Sequence, residues 1–149
     1  TRAIVLGGSY PDASIDYVTI STTGNAADFG DCSTVIWNTR GGNCGNAIRG
    51  LIAGGGTSLP TNIIQYVTIT TLGNTVDFGD RLVAKGQTAH MSSTIRGVFG
   101  GAGEKDTNVV DYVQIMTTGN AVDFGDLSAN GSSGYGWAAG ATNGHGGLG

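Results

Sequence analysis

The chain of 149 residues is long enough for one ordinary domain, and its charge is sparse: 7 basic against 11 acidic side chains, a formal net charge of −4, with no basic excess to suit a nucleic-acid backbone. Glycine reaches 28 residues beside only 2 prolines, without a strict Gly-x-x period, which excludes collagen-like and proline-rich linker architectures. No stretch is apolar for long enough to form a membrane helix, none has the charged start and apolar core of a signal peptide, and a start at Thr1 without Met fits a processed product, a fragment or a partially identified polypeptide.

The first phrase, "TRAIVLGG" from Thr1, predicts a strand that stops at paired glycines, where side chains would obstruct a turn or a close neighbour. The next, "DYVTISTTGNAADFGD" from Asp16, predicts a hairpin. Tyr17 and Thr19 point to one face of its first strand, Val18 and Ile20 to the other, so both faces carry bulk, as in a strand between neighbouring sheets. A Gly-Asn pair able to adopt positive φ then turns the chain into "ADFGD".

After a loop with Cys32, Trp37 and Cys44, both phrases return: "IRGLIAGG" from Ile48 and "QYVTITTLGNTVDFGD" from Gln65, then "IRGVFGGA" from Ile95 and "DYVQIMTTGNAVDFGD" from Asp111. The first and third hairpin phrases agree at 13 of 16 positions, too long a match for generic turn composition. Arg2, Arg49 and Arg96 are spaced by 47 and 47, and Phe29, Phe78 and Phe124 by 49 and 46, a period in the range of propeller blades. The serine- and threonine-rich "QTAHMSST" from Gln87 supplies a weak fourth strand, and "YGWAAGA" in the tail a further short one. The predicted organisation is a single repeat domain over 1–149, with repeats at about 1–47, 48–94 and 95–141 and a glycine-rich end at 142–149. About twelve strands result, and no 3.6-residue apolar period survives to suggest helix.

The phrase "VFGG" followed by Tyr112 and Phe124 resembles the kelch-like β-propeller repeat, in which a strand ends in a double glycine and a Tyr and a Trp follow. Tyr17 and Phe29, and Tyr66 and Phe78, take the same places, with Phe standing where the family carries Trp. The fuller wording "DYVTI…TTGNA.DFGD…RGVFGG" is similar to kelch-like repeats of phage structural and tail-associated proteins, especially those of aquatic and cyanobacterial hosts. The resemblance spans nearly all of Thr1 to Asp126. It implies an all-β, kelch-like propeller of about three four-stranded blade equivalents, and a non-enzymatic structural role in a virion or outside the cell. Three blades are too few to surround a channel, since propellers typically use roughly 4 to 8. Completion by self-association is therefore expected, as a homodimeric six-bladed ring or as a fibre. Other virion proteins are expected partners; an extracellular module binding a host-surface glycan or a protein is the competing reading.

The residues that invite chemistry divide between recurrent and solitary ones. Three "DFGD" pairs, Asp28 with Asp31, Asp77 with Asp80 and Asp123 with Asp126, suit either a turn satisfied in the same way each time or a repeated cation site. The kinase DFG motif is excluded, because the rest of its constellation is missing. Arg2, Arg49 and Arg96 either pair with a turn carboxylate or backbone carbonyl between blades, or ring a channel for an anion. Cys32 and Cys44 allow a local disulfide or two packed free thiols. Trp37 and Trp137 break the repeat and suit packing, subunit contact or sugar stacking. His90 and His145 are read as isolated, exposed polar residues, and the sequon at Asn130–Ser132 is weak. No catalytic constellation, cofactor motif or metal site is predicted.

Overall fold

The computed structural model describes residues 1–6, 13–35, 44–55, 60–101, 108–128 and 139–142. Among these, eleven strands form three antiparallel sheets, each a simple meander, and none of the described residues is helical. Sheet I contains β1 (Arg2–Leu6), β2 (Ser14–Thr19) and β3 (Ala27–Asp31). Sheet II contains β4 (Cys44–Gly45), β5 (Arg49–Ala53), β6 (Ile63–Thr68) and β7 (Val76–Asp80). Sheet III contains β8 (Ala89–Ser92), β9 (Arg96–Gly100), β10 (Val109–Gln114) and β11 (Val122–Asp126).

The Arg-led phrase pairs with the Tyr strand in one register throughout: Ile4 faces Tyr17, Leu51 faces Tyr66 and Val98 faces Tyr112. Equivalent positions can therefore be compared across the sheets. The serine-rich segment is a strand as expected, but β8 pairs with β9, so it opens sheet III instead of closing the second repeat. Repeat boundaries at 47/48 and 94/95 follow the most legible words and cut one strand out of phase with the sheets. The segment 139–142, the described part of the tail phrase, forms no strand.

The DFGD phrases form the returning strand of each predicted hairpin, so their aspartates lie within strands and the reading of those aspartates as satisfying a turn is corrected. Ile15 faces Gly30 while Asp16 faces Asp28, leaving Phe29 as the extra residue of a β-bulge. The same shift isolates Phe78 in β7 and Phe124 in β11. Gly30, Gly79 and Gly125 follow at φ +147°, +143° and +135°, where a side chain is strained. Each bulge turns its Phe edge-on to the Tyr of the neighbouring strand, with ring centroids 6.1 Å apart for Tyr17–Phe29 and 5.9 Å for both Tyr66–Phe78 and Tyr112–Phe124.

Two apolar clusters lie between the sheets. Ile15, Phe29, Cys32, Ile52 and Val67 fill the space between I and II. Leu51, Ile64, Phe78, Phe99, Val113 and Ile115 lead the larger cluster between II and III.

Candidate functional site

The recurrent residues meet at the seams where one sheet joins the next. The Gly-Asn turn of the following sheet docks against the bulge of the preceding one. At the I–II seam Gly73 N donates to Phe29 O at 2.8 Å, Thr75 N to Asp31 O at 2.9 Å, and Asp31 N to Asn74 Oδ1 at 3.0 Å. At the II–III seam Gly119 N donates to Phe78 O at 2.8 Å, Ala121 N to Asp80 O at 2.8 Å, and Asp80 N to Asn120 Oδ1 at 3.1 Å. The approach is close enough that a Cβ on Gly30 would stand 2.5 Å from Gly73 O, and one on Gly79 2.5 Å from Gly119 O. The second Asp of each phrase thus serves the fold through its backbone groups. Among the described residues, Asp123 is the one of these six aspartates whose carboxylate accepts a hydrogen bond, from Gly125 N at 3.3 Å.

The arginines reinforce the same seams. Arg2 Nη1 donates to Ile69 O at 3.2 Å and Arg49 Nη1 to Ile115 O at 3.0 Å, in each case a carbonyl of the next sheet. Each guanidinium also stacks over a Tyr of its own sheet, 4.8 Å from Tyr17 for Arg2, 4.3 Å from Tyr66 for Arg49 and 4.8 Å from Tyr112 for Arg96.

A third component varies between seams, and sequence reasoning missed it. The residue before the Tyr of sheets II and III, Gln65 or Asp111, faces the preceding sheet, and Asp16 holds the same position in sheet I. Gln65 Oε1 accepts from Ser33 Oγ at 2.6 Å, Thr34 N at 3.1 Å and Thr75 Oγ1 at 2.5 Å. Asp111 instead forms a fully buried ion pair with Arg81, Nη2 to Oδ1 at 2.8 Å, and accepts Leu82 N at 3.0 Å. Arg81 also donates to Thr88, whose hydroxyl lies 3.0 Å from His90 Nε2. His90 is therefore buried, set edge-on to Phe99 with centroids 5.2 Å apart, and the expectation of an exposed histidine is corrected. The alternation of β8 turns it inward, a direction that a weakly patterned "TAHMSS" does not announce.

Cys32 and Cys44 are free buried thiols in separate clusters, so the cross-link their spacing allows is not formed. Burial raises the Cys32 pKa, and the Asp31 carboxylate adds to the rise. Burial pushes Cys44 up to about 12 despite the opposing charge of Arg81. Trp37, Trp137, His145 and Asn130–Ser132 lie outside the described residues. Among the described residues no three His, Cys, Asp or Glu side chains converge as a metal site.

Both outer faces carry half of a seam. Phe29 and Phe78 are 2 % exposed, whereas Phe124 is 55 % exposed, and among the described residues nothing lies within 4 Å of a Cβ on Gly125. On the opposite face, Ile52 and Phe99 are fully buried, whereas their equivalent Val5 is 58 % exposed. Thr75 and Ala121 are buried and Ala26 is exposed. A depression of about 620 Å³ opens on sheet III beside Met91, Val98, Val110 and Phe124.

Comparison with protein-family models and with curated proteins gives no match.

Proposed function

We propose that the chain is a run of kelch-like propeller blades and a non-enzymatic structural component of a viral particle or tail-associated assembly, making protein contacts through its faces and loops. One observation carries this reading: at both seams the recurrent residues, Arg2, Phe29 and Asp31 at one and Arg49, Phe78 and Asp80 at the other, join one sheet to the next. A repeat used in this way builds a scaffold, and side chains engaged in a scaffold are not free to turn over a substrate. The wording of the repeat, similar to that of phage structural proteins, supports the location.

Immunoelectron microscopy tests the location. Antibody raised against the folded chain is expected to label purified viral particles or their tails. Chain recovered only free of particles, with the particles unlabelled, would overturn the reading.

A further inference from the structure

We infer that the open face of sheet III receives the open face of sheet I of a second copy of this chain, and that two copies close into a ring of six sheets. The inference rests on the propeller part of the preceding reading and is independent of where the protein resides.

The occupant is identified by the seams already present. Among the described residues the same junction forms twice, each time between a bulged DFG strand and a Gly-Asn turn two bonds deep, with the Asn side chain as a third. The acceptor half is repeated on β11, where Phe124 O and Asp126 N and O stand equivalent to the engaged groups of Phe78 and Asp80. The donor half is repeated in the turn of sheet I, where Gly24, Asn25 and Ala26 are equivalent to Gly73, Asn74 and Thr75. Docking these halves gives Gly24 N to Phe124 O, Ala26 N to Asp126 O, and Asp126 N to Asn25 Oδ1.

The side chains around this junction agree with it. Arg96 stacks on Tyr112 as its equivalents do, yet among the described residues it reaches no carbonyl. The carbonyl it lacks corresponds to Ile20 O, and Ile20 is exposed while its equivalent Ile115 is fully buried. Val5 would enter the depression beside Val98 and Phe124, as Ile52 and Phe99 enter the inner seams. Asp16 occupies the position of Gln65 and Asp111, and Ser128 that of Ser33 and Leu82, which donate to them. An exposed Asp16 and an exposed Ser128 therefore form a donor–acceptor pair across the same junction. Beside it, segment 139–142 is held to β8 by Thr142 Oγ1 donating to Ser92 O at 2.7 Å, at the margin of the open face. It would border the edge of the arriving β1, in the sheet that has three strands among the described residues where the others have four.

Closure follows from counting. The junction is heterologous, so repetition gives a ring or an open polymer. The described residues of one copy provide three sheets, those of two provide six and those of three provide nine. Only six lies within the roughly 4 to 8 blades that propellers use.

Light scattering during gel filtration tests this. The chain is expected at twice 15.0 kDa. Ala26→Lys, which places a charge in the docking turn at a position exposed in the single chain, is expected to run at the single-chain mass with an unchanged far-ultraviolet circular dichroism spectrum. Asp16→Asn, which keeps a hydrogen-bond acceptor, is expected to leave the two-chain mass intact. A single-chain mass for the unaltered protein at micromolar concentration, filaments, or a two-chain species that survives Ala26→Lys would each overturn the inference. None of these results bears on particle labelling, so the two proposals fail separately.

Discussion

Adding one methyl group to Gly79 is expected to break the II–III seam, and the same change at Gly125 to leave the single chain's seams intact. The two glycines share a bulge position and nearly the same backbone, φ +143° and +135°, so the strain of placing Ala there is common to both, about 1–3 kcal/mol. They differ in surroundings. The Cβ at 79 would stand 2.5 Å from Gly119 O, 2.6 Å from its carbonyl carbon and 2.9 Å from Asn120 N, all backbone atoms that cannot rotate away. Relief requires the turn to withdraw, losing Gly119 N to Phe78 O, Ala121 N to Asp80 O and Asp80 N to Asn120 Oδ1. At about 1 kcal/mol for each bond, Gly79→Ala should cost about 3 kcal/mol more than Gly125→Ala. Urea unfolding followed by circular dichroism, at a dilution where a single-chain mass is measured, reads this as a midpoint lower by about 1 M or more. Equal midpoints for the two variants would refute the seam as the reason for the glycine.

Arg49→Ala removes both the bond to Ile115 O and the stacking on Tyr66, and should destabilise the single chain by about 1–2 kcal/mol. Arg96→Ala removes stacking alone and should cost about half as much in the same urea titration. Asp111→Asn leaves the Arg81 charge buried without its counter-charge, and thermal unfolding should show a loss of about 3–5 kcal/mol; Arg81→Met combined with Asp111→Asn should recover part of it. Both native thiols should react with a maleimide far faster in denaturant than in the folded protein. For Cys44 the folded-state pKa of about 12 lies above the ordinary thiol value of 9.0, so its contribution is intact below pH 9 and lost as pH rises towards 12. Three pH units correspond to about 4 kcal/mol, and Cys44→Ala should flatten the alkaline fall in stability over that window.

Much of the local structure was legible because it is local. Alternation in "YVTI" and the Gly-Asn pair mark the hairpin within sixteen residues, and the Tyr and Phe that it brings together are already on that stretch. For the arginines the sequence leaves open a turn carboxylate, a backbone carbonyl between blades or an anion, and Arg2 and Arg49 reach carbonyls of the next sheet. The bulge was not legible, because one unpaired residue within a five-residue strand leaves no period to read. The fit of Gly30 against Gly73 joins positions far apart in the chain, so composition makes each glycine look like a separate turn. Their joint recurrence, GN and FGD always returning together, was the available signal. The Arg81–Asp111 pair and buried His90 were illegible for the opposite reason: they occur at one seam only, and the other seam fills the equivalent space with Ser33, Gln65 and Thr75.

The most direct measurement uses the close approach of Thr75 Oγ1 and Ser33 Oγ, 3.2 Å apart at the I–II seam. Their equivalents, Ala26 and Ser128, are both exposed in the single chain. A variant carrying Ala26→Cys and Ser128→Cys together, oxidised and run on a denaturing, non-reducing gel, should give one covalent species of two chains that returns to a single chain on reduction. Single-chain protein after oxidation, or a ladder of higher multiples, would contradict the closed two-copy ring.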